Sequence, residues 1–318
     1  MARLCIAFTV IVVVFLSVGR TASSQNRRPA PPRRSAPPRW SPDVEDVFFD
    51  DVRTTLVGER PDDARAGTQR ADPTAEGRRT NESAVPGFVW STRIAAETIE
   101  DELKQLKNRA MQDVTTPGPF KGGGFRQCRD CFSVAAIMFA ITAEFDGPVR
   151  WKESAAGLRD RFARAGFNCK VGTDASYHEA RQRRANLEDL IRGDRVDTGP
   201  GSTNPDWTDV ADRGPLMKRL EQATQDRLSP WLSSRSRFRQ QRNHVIHEAQ
   251  IVAAIAEVIT REGYEYWDDD IYLDYARRLG ASAAQVDAAA EKGDYERARQ
   301  AAGEMSKACS QCHEDYRS

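Results

Sequence analysis

The chain has 318 residues, with 47 basic and 47 acidic side chains and therefore no net charge at pH 7. Without a basic excess, nucleic acid is not expected as a partner. Aromatic residues make up only 8% of the chain. No long alternating run of β-branched residues follows the N-terminal region, so the composition favours an all-α protein over a sandwich or a barrel.

The N-terminal residues have the pattern of a secretory signal. Arg3 precedes the apolar run "LCIAFTVIVVVFLSV", which is followed by the small and polar residues "TASSQ". We therefore expect residues 1–24 to be a signal peptide and the protein to be exported to the periplasm. The alternative is an uncleaved anchor that retains the exported protein, because the run is only slightly shorter than a membrane span of roughly 18–20 residues.

Residues 25–87 predict a disordered arm and linker. The segment opens with "QNRRPAPPRRSAPPRW", a density of proline and arginine that favours an extended, solvated chain. One short helix is expected in "VEDVFFDDVRTTLVG". We interpret the arm as a spacer, and the alternative is contact between its arginines and an anionic membrane or cell-wall polymer.

From residue 88 onward the apolar periodicity is helical. Eight helices are predicted, over 93–114, 124–145, 149–167, 174–192, 207–230, 235–262, 268–290 and 293–316. The glycines, prolines and small polar residues of 194–205 predict a linker between the fourth helix and the fifth. We therefore expect two tandem four-helix up-and-down bundles, 88–193 and 206–318.

The last predicted helix carries the motif "CSQCH", formed by Cys309, Cys312 and His313. Residues at i, i+3 and i+4 share one helix face, so the three side chains converge. This is the attachment pattern of c-type haem, in which the two thiols bond to the porphyrin vinyl groups and the imidazole reaches the iron. A zinc site would need about four ligands, and a thioredoxin-like pair would need a strand before its helix. We therefore predict one covalently attached haem c.

With this motif in the last helix of a four-helix bundle, the stretch "CSQCHEDYR" resembles the cytochrome c′ family. The resemblance covers residues 206–318 well. It implies Cys309 and Cys312 as thioether anchors, His313 as the proximal iron ligand, and Arg317 near that histidine. It also implies a homodimer formed through the first two helices of this bundle, unless the preceding bundle occupies that face.

In this family the first helix carries the residue over the distal face of the iron, often after an Arg-x-x-x-Met pattern. Arg213 and Met217 have that spacing. Ligation by Met217 would give a six-coordinate iron suited to electron transfer, whereas a packed Met217 would leave a five-coordinate iron open to a small gas. Pro215 favours the first turn of a helix, which would place Arg213 outside it. Leu216 is the apolar alternative over the iron.

The two predicted bundles have the marks of an internal duplication. The stretch "FRQCR" from Phe125 matches "FRQQR" from Phe238, and "YHEARQ" from Tyr177 matches "YERARQ" from Tyr295. The order and approximate spacing of these matches are kept along both halves. The first bundle has neither cysteine nor histidine at the positions that correspond to the motif, so it is expected to be haemless.

Three further cysteines and two histidines are candidates for a second haem, a disulfide or a metal site. Cys128 and Cys131 form "CRDC" without a following histidine, so a second covalent haem is not expected. In an oxidising compartment we expect Cys169 to form a disulfide with one of them. His244 and His247 lie off the apolar stripe of their helix, and we interpret both as solvated or rim residues.

The sequence thus predicts an exported c-type cytochrome that exchanges electrons with a redox partner protein in the periplasm. The alternative is a five-coordinate haem protein that binds nitric oxide or carbon monoxide for sensing or scavenging. A third interpretation makes the haemless bundle an interaction module that docks a partner. No Ser-His-Asp grouping, paired-acid motif or nucleophile elbow is found in the sequence, so an enzyme is not expected.

Overall fold

The computed structural model describes residues 88–114 and 116–316, apart from the side chains of Met111 and Asp113. The described residues form helices and turns without a strand, and they belong to one compact unit. The all-α prediction is confirmed. The predicted signal peptide, the predicted arm and Arg317 lie outside the described residues. Among the described helices, none combines the length and the apolar character that crossing a membrane requires.

The first helix set contains four long helices, as predicted. They are α1 (Ala96–Asp113), α2 (Phe125–Glu144), α3 (Ala155–Asn168) and α4 (Asp174–Arg192). A π-helical segment over Phe120–Gly124 leads into α2. Within this segment Gly123 has a φ of 149°, a conformation that residues with a Cβ rarely adopt. This conformation explains why glycine is needed at position 123.

The second helix set also contains four long helices. They are α5 (Arg213–Glu221), α6 (Arg235–Val258), α7 (Asp270–Glu291) and α8 (Tyr295–Tyr316). A short helix over Trp207–Val210 precedes α5, and α5 continues through a π-helical segment, Gln222–Leu228, to a last turn at Ser229–Trp231. The helices predicted for α6, α7 and α8 are confirmed to within a few residues.

The start of α5 differs from the prediction. The prediction of one continuous helix over 207–230 is wrong, because the backbone is extended at residues 211–212. α5 begins at Arg213, and Pro215 is its third residue. The first four N–H groups of a helix have no partner within the helix, so proline at this position removes no helical hydrogen bond. The expectation that Arg213 lies outside the helix is therefore wrong, and Arg213 and Met217 lie one turn apart on α5.

Each set packs as an up-and-down bundle around buried apolar stripes. The predicted inward stripe of α6 is buried at Val245, Ala249, Val252, Ala256 and Ile259. α6 and α7 approach closely at Gly280, where an added Cβ would lie 3.4 Å from the Cβ of Ala256. The added Cβ of an alanine would be near van der Waals contact, so a residue larger than alanine at position 280 would push the two close-packed helices apart.

The two sets pack on each other through their first two helices. α1 contacts α6, and α2 contacts α5. Under the predicted duplication α1 corresponds to α5 and α2 to α6, so the contact is reciprocal, as in a twofold dimer. Near the start of both sets, Trp90 and Trp207 have ring centroids 5.8 Å apart. The guanidinium of Arg261 lies over both rings, 5.3 and 5.5 Å from their centroids.

The connection between the sets, residues 194–205, is docked on α3. The backbone N–H of Ser202 donates to the carboxylate of Asp160 (2.6 Å), and Arg159 Nη2 donates to the Ser202 carbonyl (2.6 Å). A Cβ added to Gly201 would lie 2.2 Å from the Ala156 carbonyl carbon. The segment predicted as a linker is therefore held against the first set along part of its length.

A half-buried carboxylate on α7, that of Asp287, is linked to the contact between the sets. Gln250 on α6 donates from Nε2 to Asp287 (3.2 Å). The same glutamine accepts a hydrogen bond from the hydroxyl of Thr98 on α1 (2.6 Å). Burial raises the pKa of Asp287 to about 6, and the negative charge of Glu291 adds to the rise.

Asp287→Asn is expected to stabilise the protein at neutral pH but not in acid. The pKa of the folded state lies above the unfolded value of about 3.9, so stability falls as the pH rises from about 4 to 6 and the carboxylate ionises. Asparagine avoids this ionisation and can still accept from Gln250. Allowing for solvent screening, we expect a gain of about 1–2 kcal/mol at neutral pH and none near pH 4. Urea unfolding at both pH values, with the exposed Asp226→Asn as control, measures this difference. An equal gain at both pH values would contradict the prediction.

Candidate functional site

The predicted attachment motif lies on the last two turns of α8. Cys309 and Cys312 are half-buried, and His313 is exposed beside them. One turn earlier on the same face, Met305 is buried. Both cysteines therefore face the bundle, as the periodicity of the sequence predicts.

The two thiols lie in surroundings that disfavour their charged form. Burial raises the pKa of Cys309 to about 11, and the neighbouring Cys312 adds to the rise. Burial also raises the pKa of Cys312, against an opposing attraction from the cationic Arg213. Both side chains are therefore neutral thiols at neutral pH.

Arg213 is held in place by the turn between α6 and α7. Its Nη1 donates to the carbonyl of Glu265 (3.2 Å), and its Nη2 pairs with the carboxylate of the same residue. The guanidinium also lies 5.4 Å from the ring centroid of Tyr266. These contacts fix the first turn of α5 against the turn that precedes α7.

Met217 lies one helical turn beyond Arg213 on the same face of α5. Its side chain is half-buried and packs against the core. Leu216, the other candidate for the distal position, is fully buried. Arg213 lies 5.4 Å from the ring centroid of Tyr266, which packs on Tyr316 of α8, so the start of the α5 face that carries Met217 lies at the end of the bundle that holds the motif.

A tyrosine cluster closes this end of the second set. Tyr316, on α8 one turn past Cys312, has its ring centroid 4.8 Å from that of Tyr266 and 5.5 Å from that of Tyr272. Tyr272 is only 3% exposed. This cluster was not predicted from the sequence, although the tyrosine-rich stretch "YEYWDDDIYLDY" spans the turn before α7 and the start of α7.

These residues fit a c-type haem. Two inward-facing neutral thiols and an adjoining imidazole are the donor set that covalent attachment and iron ligation require.

Residues 210–317 match the family model of cytochrome c′. The C-terminal helix set belongs to the cytochrome c′ family. The match covers about a third of the chain and includes Arg213, Met217 and the motif. No curated protein and no solved structure matches the chain. The cytochrome c′ family implies covalently bound haem c, and the predicted resemblance is thus confirmed for this set. The first helix set lies outside the match, so the duplication stays a prediction.

The cysteines outside the cytochrome c′ region differ from the expectation. Cys128, Cys131 and Cys169 are all buried in the core. Cys169 has a free thiol, whose pKa burial raises to about 12. The predicted disulfide from Cys169 is therefore not formed in the structure, where this residue packs as a small apolar side chain at the end of α3.

The two histidines of α6 have different environments. His244 is exposed, with its ring centroid 5.7 Å from that of Trp231, so the prediction of a solvated residue is confirmed for it. His247 is only 8% exposed, and its Nε2 donates to the carboxylate of Glu102 on α1 (3.0 Å). The same prediction is wrong for His247, because α1 of the first set covers this face of α6.

His247 belongs to a buried ion cluster with Glu102, Arg219, Arg227 and Glu248, which joins the two sets. Arg219 on α5 donates from Nε and Nη2 to Glu102 (2.7 and 2.8 Å) and from Nη1 to Glu248 (2.7 Å). Arg227 pairs with the other oxygen of Glu248. Burial would raise the pKa of Glu102, but attraction to Arg219 and its hydrogen bonds hold this pKa well below its usual range.

The ion cluster also contains the one potential metal-ligand group of the described residues, since ligand atoms of Glu102, His247 and Glu248 lie within 4.8 Å of one another. Arg219 already occupies oxygens of both carboxylates. A metal ion would have to displace a bidentate guanidinium and approach the second cation, Arg227, which Coulomb repulsion disfavours. The cluster is therefore best explained as a structural link between the sets.

Proposed function

We propose that this protein is an exported c-type cytochrome that carries electrons in the periplasm with one haem. The observation that carries the proposal is the attachment motif on the inner side of α8, where Cys309 and Cys312 are half-buried within the region that matches cytochrome c′. When bound, the haem supplies a one-electron iron couple. The protein is proposed as a carrier and not as an enzyme. The proposal of export rests on the N-terminal sequence and on the typical export of cytochrome c′ proteins. Sequencing of the mature N-terminus would test cleavage before Gln25.

Each site residue has a distinct proposed role. Cys309 and Cys312 would hold the porphyrin through thioether bonds, and His313 would be an iron ligand. The family resemblance would place Arg317 near that histidine. Met217 would be a second iron ligand, and a thioether ligand raises the reduction potential of haem iron.

The packing of Met217 supports a second candidate. A methionine on a buried helix face is commonly part of the core, and Met217 packs against the core here. If it stays there, the iron is five-coordinate, and the protein binds nitric oxide or carbon monoxide for sensing or scavenging.

A visible spectrum of the haem-loaded protein, reduced with and without carbon monoxide, separates the two candidates. For the electron carrier we expect sharp low-spin bands that carbon monoxide does not change. Met217→Leu should then become high-spin, bind carbon monoxide and lower the reduction potential. Met305→Leu, a buried change one turn before Cys309, is the matched control and should retain the wild-type spectrum. A wild-type protein that binds carbon monoxide would make gas binding the function.

A further inference from the structure

Two apolar side chains are exposed at the turn between α6 and α7. Trp267 is 41% exposed and Ile271 is 61% exposed. They are four residues apart and are two of only four large apolar side chains that are exposed among the described residues. An exposed tryptophan and an exposed isoleucine this close in sequence are typical of an interface centre and not of an ordinary charged turn.

Acidic residues surround this pair. Residues 262–276 contain six acidic side chains and no basic one: Glu262, Glu265, Asp268, Asp269, Asp270 and Asp274. α8 adds Glu314 and Asp315, and the hydroxyl of Tyr275 on α7 donates to Asp315 (2.8 Å), which places the end of α8 beside this turn. We name this surface, with Trp267 and Ile271 at its centre, the acidic tryptophan face.

Few cations balance the acidic tryptophan face. Arg213 is paired with Glu265, and Arg278 is paired with Asp274 (3.1 Å). Arg277 is a further exposed cation on α7. Arg261, directly before Glu262, is paired with Glu257 of α6. Eight carboxylates against these four arginines leave an excess of negative charge around the apolar pair.

The acidic tryptophan face adjoins the attachment motif. Tyr266, the residue before Trp267, packs on Tyr316, with ring centroids 4.8 Å apart. Tyr316 lies one helical turn past Cys312 and His313 on α8. A protein seated on this face would therefore lie next to the end of the bundle that carries the motif.

We propose that the acidic tryptophan face docks a basic redox protein. This inference rests on the proposed electron-transfer function and identifies its partner class. Acidic residues around the face raise the rate of encounter with a cationic partner. Trp267 supplies the aromatic side chain whose burial contributes most of the binding energy in such interfaces. One electron passes between the redox centre of the partner and the haem iron, so one centre is oxidised as the other is reduced.

The test uses the full-length, haem-loaded protein and a lysine-rich c-type cytochrome as the probe. Stopped-flow absorbance gives the electron-transfer rate across ionic strength, and calorimetry gives the binding constant. Asp268→Asn combined with Asp270→Asn should lower the low-salt association rate by roughly tenfold and flatten its salt dependence. Trp267→Ala should weaken binding by roughly tenfold or more. Asp269 is left unchanged because its carboxylate accepts from the N–H groups of Ile271 and Tyr272 and caps α7.

The matched control is Glu221→Gln combined with Asp226→Asn, which removes two exposed acidic charges from the α5 side of the same set. It should leave the salt dependence and the binding constant at wild-type values. If both double variants have the same effect, the proposal is wrong, since net charge alone would then explain the rates. Sedimentation that shows a self-association lost in Trp267→Ala would also overturn it, by assigning the face to a second copy of this chain.

The two proposals fail in different measurements. A protein with low-spin haem that does not bind the probe would overturn the docking face and leave the electron carrier intact. A protein without covalent haem would overturn the proposed function, while calorimetry would still report whether the face binds a basic protein.

Discussion

Replacing Arg219 with methionine is expected to lower the free energy of unfolding by roughly 3–5 kcal/mol. Arg219 is 2% exposed and neutralises two carboxylates, those of Glu102 and Glu248, that are equally buried. Methionine keeps most of the side-chain volume and removes the charge and the hydrogen bonds. Both carboxylates would then lack their main buried counter-ion, and this is the reason for so large a loss.

Urea unfolding at neutral pH measures the effect, and Arg235→Met is the matched control. Arg235 pairs with Glu296 on the surface, with both side chains more than 60% exposed, so its loss should cost about 1 kcal/mol or less. Adding Glu102→Gln to Arg219→Met should recover part of the loss, because one buried charge is removed. Similar losses for Arg219→Met and Arg235→Met would show that the ion cluster does not hold the sets together.

The ion cluster also predicts sensitivity to acid. Because the pKa of Glu102 is lowered in the folded protein, its contribution to stability is present above the unfolded pKa of about 4.3 and is lost as the pH falls through the lower folded value. The wild-type protein should therefore lose stability more steeply in acid than Arg219→Met, whose Glu102 has lost this partner. Parallel pH profiles for the two proteins would argue against this account.

The variant with Cys309→Ala and Cys312→Ala is expected to contain no covalently attached haem. The two thiols are the proposed attachment atoms, and no other described cysteine is followed by histidine at the required position. Expression with haem-attachment machinery, followed by haem staining on a denaturing gel and extraction with acidic acetone, measures the loss. His313 remains in the variant, so haem can still bind without a covalent bond. Acidic acetone should extract all of this non-covalent haem.

The "CRDC" pair supplies the matched control for this prediction. The variant with Cys128→Ala and Cys131→Ala removes two buried cysteines with the same spacing and should retain full haem staining. If staining survives in the Cys309 and Cys312 variant but is lost in the control, the haem is attached to the first helix set and the proposed site is wrong.

Local features of this protein could be predicted from its sequence. The long helices follow from apolar periodicity, and the start of α7 is marked by the run Asp268-Asp269-Asp270, of which Asp269 caps the helix. The attachment motif is equally local, since three residues within one turn determine its chemistry. The break before α5 could not be predicted with the same rules, because Pro215 is compatible with a helix that begins either at it or two residues earlier.

The ion cluster could not be predicted, because it depends on which helices meet. Glu102 lies between the buried Ile99 and Leu103, and Arg219 between the buried Leu216 and Leu220. This spacing marks both charged residues as inward-facing, but it does not identify their partners. Arg219 meets Glu102 across 117 positions of sequence, and that contact exists only because the first set lies on the second.

The reciprocal packing of α1 on α6 and of α2 on α5 has a consequence for assembly. In a two-chain dimer, such a contact forms by mass action and is lost on dilution. Here both surfaces are on one chain and are joined by a short docked connection, so their effective concentration is high and independent of the amount of protein. The pairing of the two sets therefore persists at any expression level, and a change in protein concentration cannot regulate it.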